Sequence, residues 1–154
     1  VARPPETGAE SLRAAGASGH GRAVMQPLRP ADIAPPFGAY VHGMVVPAGR
    51  RLVVVSGQLG MAADGAVPPD PRRQATICLA NIAAILREAG GGPGDVVRLN
   101  AYVTRRADFA PYMAARDAWL AETDHLPAST LVIVGGFTRP EFLVEVEALA
   151  ALPA

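Results

Sequence analysis

Residues 52–55 read LVVV, and Ser56-Gly57 follows directly. Four consecutive apolar, β-favouring residues place hydrophobic side chains on both sides of a strand, because successive side chains point to opposite faces. Such a strand must be covered twice. A chain containing it needs a layer of helix against one face of its sheet and a second cover against the other. The run is expected to be a central strand that ends at Ser56-Gly57, where the chain changes direction. Just upstream, AYVHGMVV from Ala39 and the turn segment PAGR with Pro47 and Gly49 predict that the strand closes a hairpin with a first strand.

The helical cover is legible downstream. Between Pro71 and Ala89, the residues Cys78, Ile82, Ile85, Leu86 and Ala89 recur at the spacing of one helical face, and Gly90 to Gly92 end the run. Val96 to Thr104 then alternates Val97, Leu99, Ala101 and Val103 against Arg98, Asn100, Tyr102 and Thr104, as in a strand with one buried face. Asp108 is placed to cap a second helix carrying Phe109, Tyr112, Met113 and Leu120. Pro127 breaks the chain before LVIV at Leu131 to Val134, and FLVEVEALA from Phe142 to Ala150 reads as the last strand. The order strand, strand, helix, strand, helix, strand, strand predicts an α+β fold, a single mixed β-sheet with two helices on one face. The remaining face is apolar enough that association between copies is the simplest way to cover it.

At 154 residues there is room for one domain, expected over residues 25–154 from Met25 onward. Residues 1–24 show no sustained period and are expected to be a flexible extension, a short arm packing on a neighbour being the alternative. Fourteen basic and fourteen acidic residues cancel, which argues against a nucleic-acid face. Cys78 is the only cysteine, so no internal disulfide forms, and its place in the helical period marks it as packing rather than a nucleophile. No apolar run approaches a membrane span, so a cytoplasmic setting is expected.

Five segments in this order, GAYVHG, VSGQLG, QATICLANIAAILREAG, DVVRLNAYVT, and LPASTLVIV with VEVEALA, resemble the Rid (reactive intermediate deaminase) family from about Pro36 to Ala151. The resemblance implies a homotrimer with a barrel-like centre and small-molecule clefts between subunits, with no metal or organic cofactor. It also implies hydrolysis of reactive enamines and imines to a carbonyl compound and ammonia. In the family, a PAR segment followed by serine or threonine supplies an arginine that clamps the substrate carboxylate. Here the segment reads Pro127-Ala128-Ser129-Thr130, so Ser129 stands in the place of the arginine. Losing that guanidinium removes a charge-assisted contact worth on the order of 1.5–3 kcal/mol. Arg139, in the turn before the last strand, is a candidate replacement cation.

By the same resemblance Glu145 corresponds to a water-orienting glutamate, Tyr40 lines the cleft, and Ser56 and Gly57 approach the ligand with backbone groups. His42 shares a face with Tyr40 and is a candidate acid or base or a structural residue. Met113 and Leu131 fall where many members carry asparagine and cysteine, which makes the inferred pocket less polar and favours a larger ligand. Glu145 and Glu147 project on the side of Leu143 and Leu149, and a salt bridge to Arg98 is the structural explanation for one of them. The expected function is an enamine or imine hydrolase with altered substrate preference. The alternatives are a non-catalytic metabolite-binding trimer and a biosynthetic enzyme that isomerises or cyclises a reactive amine.

Overall fold

The computed structural model describes residues 24–154. The extension expected over residues 1–24 therefore lies outside the described residues except for Val24, which is exposed, while Met25 beside it is buried.

The elements follow in the order β1 (Gln26–Leu28), β2 (Gly43–Val45), β3 (Arg51–Leu59), α1 (Pro71–Glu88), β4 (Val96–Val103), α2 (Phe109–Leu120), β5 (Ala128–Ile133) and β6 (Val144–Leu152). Strands β3, β6, β4 and β5 form a mixed sheet in that spatial order, with β4 and β5 parallel and the other pairs antiparallel. Both helices pack on one face, so the α+β class is as expected. The expected hairpin is not formed: β2 pairs with β1 in a separate two-stranded ribbon, and β3 pairs with β6 instead. The physical reason is that the long β6 offers β3 a nine-residue partner, whereas β2 is only three residues long.

This pairing puts β3 at the edge of the sheet, not at its centre. Leu52 and Val54 on its helix-free face are 65% and 69% exposed. Nor does β3 stop at Ser56-Gly57. It passes through a register shift between Val55 and Gln58 and continues to Leu59, so the glycine serves a bulge rather than a corner.

Helix α1 begins where Asp70 accepts hydrogen bonds from the backbone N–H groups of Arg72 and Arg73, with Pro71 at the first helical position. It ends at Gly90, whose φ of +87° permits Gly91 N–H to donate back to the Leu86 carbonyl. Asp108 precedes α2 without capping it: its buried carboxylate instead takes two hydrogen bonds from Arg105 at 2.9 and 3.0 Å. The main core joins Cys78, Leu79, Ile82 and Leu86 of α1 to Leu99, Ala101 and Val103 of β4 and Val144, Val146 and Ala148 of β6. A register shift between Val96 and Arg98 moves Val97 out of the expected alternation. Val96 enters the main core, and Val97 packs with Met25 and Ala151 in a smaller cluster.

Buried Gln74 ties the start of α1 to the entry of β6. Its Nε2 donates to the Pro68 and Glu141 carbonyls, both at 2.8 Å, and its Oε1 accepts from Leu143 N–H at 2.9 Å. No helix among the described residues is long and apolar enough to cross a membrane.

Candidate functional site

The sequence-derived site residues fall into two groups, at opposite edges of the sheet. Strand β5 forms one edge, and its residues alternate: Ser129 and Leu131 face the helices, while Thr130 and Val132 face away. Helix α2 crosses beside them and presents Phe109, Met113 and Arg116 at the i, i+4, i+7 spacing of one face. The segment ahead of β2 closes the third side, anchored where Val41 bridges to Ala128. The result is a cleft lined by Phe37, Gly38, Tyr40, Phe109, Met113, Arg116, Ser129 and Leu131, with about 480 Å³ of empty space, part of it open to solvent. Tyr40, Met113, Ser129 and Leu131 are thus brought together.

At the β3 edge stands the second group. Val144 and Val146 point into the core, so Glu145 between them projects from the helix-free face. Its carboxylate lies against Gly57 in the β3 bulge, where a Cβ on Gly57 would overlap Oε1. Ser56 is exposed beside it. Glu145 is half-buried and takes no hydrogen bond or ion pair among the described residues. Glu147, two residues on, is satisfied: its Oε1 accepts from Asn100 Nδ2 at 2.7 Å and from the Tyr102 hydroxyl at 3.2 Å. Partial desolvation, with the bond to Glu147 and its negative charge, raises the Tyr102 phenol above its ordinary range. The expected salt bridge from Arg98 to one of these acids is absent. The Arg98 guanidinium donates to Asn100 Oδ1 at 2.9 Å and to Thr130 Oγ1 at 3.0 Å, because Asn100 stands between it and Glu147.

Two candidates stand apart from both groups. His42 is exposed, with Nε2 2.9 Å from the Ala34 carbonyl; its ring meets Tyr40 edge-on at 6.3 Å but does not line the cleft. Arg139 does not line this cleft within one chain. It donates to Glu141 at 2.8 Å and lies over the Phe142 ring at 4.8 Å, held by the turn before β6. The cation that does line the cleft is Arg116, which sequence reasoning missed. Spacing puts residues 109, 113 and 116 on one helical face, but only burial distinguishes Arg116 from a solvated helix arginine. Cys78 belongs to neither group. It is fully buried in the core, and burial pushes its thiol up to about 12. No group of metal-ligating side chains occurs among the described residues.

A family model described as endoribonuclease L-PSP matches residues 31–152. The fold is similar to that of YyfB from Yersinia pestis, a protein of the conserved Rid family, with 32% identity and a TM-score of 0.73 over 83% of this chain and 98% of that one. The chain belongs to the Rid family. This Rid protein is also 34% identical over 116 residues to the 2-iminobutanoate/2-iminopropanoate deaminase of Escherichia coli strain K12, a match covering 74% of this chain and 88% of that protein. The crystal structure of the Escherichia coli YjgF gene product is similar at 33% identity and a TM-score of 0.62, covering 75% of this chain and 90% of that one.

Within one Rid chain the two groups cannot meet. Ser129 and Glu145 lie on strands separated by β4 and project from opposite faces of the sheet. Strand spacing alone puts them about 10 Å apart before the thickness of the sheet is added. A cleft using both requires the β5 edge of one copy to approach the β3 edge of another.

Proposed function

We propose that this Rid protein is an enamine and imine deaminase of altered substrate preference, acting as a cytoplasmic homotrimer with its cleft between copies. The observation that carries the reading is the half-buried Glu145 carboxylate, seated over Gly57 and without a protein partner among the described residues. A carboxylate so placed is available to hold and activate a water molecule, whereas Glu147 is already engaged by Asn100 and Tyr102. Likeness to a protein that deaminates 2-iminobutanoate and 2-iminopropanoate supports the reaction class. The exposed apolar face of β3 supports association.

In this reading an enamine is first protonated at carbon to its imine. Water adds to the imine carbon as Glu145 accepts one of its protons, and the nitrogen takes that proton. The C–N bond then breaks as the new hydroxyl group's proton passes through Glu145 to the nitrogen, ammonia leaves with the bonding electron pair, and a carbonyl compound remains. Tyr40, Met113, Ser129 and Leu131 of one copy hold the substrate body, while Ser56, Gly57 and Glu145 of the next face the reacting carbon. Equal numbers of basic and acidic residues support a small-molecule substrate over the endoribonuclease activity in the family model's description.

The test is ammonia release from imines generated in place by amino-acid oxidases, for wild type and Glu145→Gln. A positioned general base contributes about a hundred- to ten-thousand-fold, so the variant should lose that much. Absence of acceleration by wild type on every imine sinks the proposal. The predominantly apolar lining of the cleft favours a second reading, a metabolite-binding trimer without catalysis. Ligand binding unchanged by Glu145→Gln, with no turnover in either protein, would select it.

A further inference from the structure

Arg116 is 3% exposed, an unusual state for a guanidinium, and one carboxylate accounts for its polar contacts. Its Nε and Nη2 both donate to Asp117 Oδ1, at 2.9 and 2.7 Å. Nη1 makes no hydrogen bond among the described residues, and the guanidinium carbon lies 6.0 Å from the Tyr112 ring centre. A guanidinium carries five N–H donors in a rigid fork, so with Nε and Nη2 engaged by Asp117 the rest of the fork is open to an acceptor bound in the cleft that Arg116 lines. Asp117 is itself half-exposed and anchors one side of the fork, leaving the other side to the cleft.

Ser129 and Tyr40 supply the other polar side-chain groups of the cleft, and neither hydroxyl makes a hydrogen bond among the described residues. Around these groups the walls are apolar or aromatic: Phe37, Phe109, Met113 and Leu131. Phe37 is 96% exposed and meets Tyr40 edge-on at 6.0 Å, which leaves one ring face open. The cleft is open on one side, so a ligand whose polar head sits between Arg116 and Ser129 can extend an apolar tail along Phe37 and Phe109 toward solvent.

We infer that Arg116 is the anion-binding residue of this cleft, with Ser129 as its hydrogen-bonding companion, and that the ligand is a carboxylate carrying an aromatic or long apolar side chain. Resting on the deaminase reading, the substrate class is an aryl or long-alkyl imino acid. The cation missing from position 129 is supplied from α2, and the room left by the smaller serine is taken by the substrate side chain.

Calorimetric titration of the full-length protein with phenylacetate, phenylacetamide and acetate tests this without requiring turnover. Phenylacetate should bind about ten- to a hundred-fold tighter than phenylacetamide, the usual range for one charge-assisted contact, and tighter than acetate by a similar factor. Arg116→Met should abolish the preference over phenylacetamide, and Arg116→Lys should keep only part of it. Equal binding of phenylacetate and phenylacetamide, or of phenylacetate and acetate, overturns the inference on wild type alone, even if a variant fails to fold. Selective phenylacetate binding without imine hydrolysis would instead overturn the deaminase reading and leave this one standing. Hydrolysis with equal kcat/KM for the imines of alanine and phenylalanine would do the reverse.

Discussion

The Glu145 carboxylate rests on Gly57 across the β3–β6 pairing, in space that any side chain at residue 57 would occupy. Gly57→Ala should therefore displace the carboxylate without touching the core. Misplacing a reacting group by about 1 Å costs on the order of a hundredfold in rate. We expect kcat/KM for imine hydrolysis to fall by about that factor while thermal unfolding stays cooperative. Full activity in Gly57→Ala would remove Glu145 from the mechanism.

Leu52 and Val54 expose an apolar strip on the edge strand, and the proposed cleft needs that edge to meet another copy. Val54→Lys should give a monomer by light scattering and should lose hydrolysis with it, because each copy holds only part of the site. Wild type that is monomeric at all concentrations, or a monomeric variant that retains activity, contradicts the proposed assembly.

Gln74, itself buried, bonds three part-buried backbone groups, one of them Leu143 N–H, two residues before Glu145. Gln74→Leu keeps the volume and strands those groups. Unsatisfied buried polar groups cost about 1–3 kcal/mol each, so an overall loss of about 3 kcal/mol is expected by urea denaturation. A loss under about 0.5 kcal/mol, the range of ordinary surface substitutions, would show that the three bonds contribute little.

Burial holds the Cys78 thiol neutral in the native state, raising it to about 12 from the ordinary value of 9.0. Above about pH 9 the unfolded chain ionises this thiol while the native chain keeps its proton, so the native state binds more protons and stability falls as pH rises. Below pH 9 this group leaves stability flat. Native protein at pH 8 should not react with a disulfide reagent, and denatured protein should react with one thiol per chain. Rapid native labelling would place Cys78 outside the core.

The two long helices and β4 were legible with their bounds because they depend on residues a few positions apart. By contrast β1 carried no signal, and the expected strands at Leu52–Val55, Leu131–Val134 and Phe142–Ala150 instead span Arg51–Leu59, Ala128–Ile133 and Val144–Leu152. Apolar spacing marked α1, Asp70 and Gly90 sit where a cap and a terminator belong, and alternation marked β4 and β6. The Rid pattern of segments likewise survives in the linear order. The cleft was legible only in part: Tyr40, Met113, Ser129 and Leu131 converge, but Arg139 is held at its turn by Glu141 and Phe142. Arg116 was overlooked because a helix-face arginine is ordinarily solvated, and only its burial sets it apart.

By itself the sequence determined that this chain makes two helices and a set of apolar strands, and that no arginine follows Pro127-Ala128. Only the tertiary structure decided that LVVV lies on an edge strand, that Val97 leaves the main core, and that Ser129 and Glu145 project from opposite faces. The reason is that strand order is a competition between distant partners, won here by the longest available ladder. A register shift of one residue also turns a side chain from one face of a sheet to the other, and no local period records it.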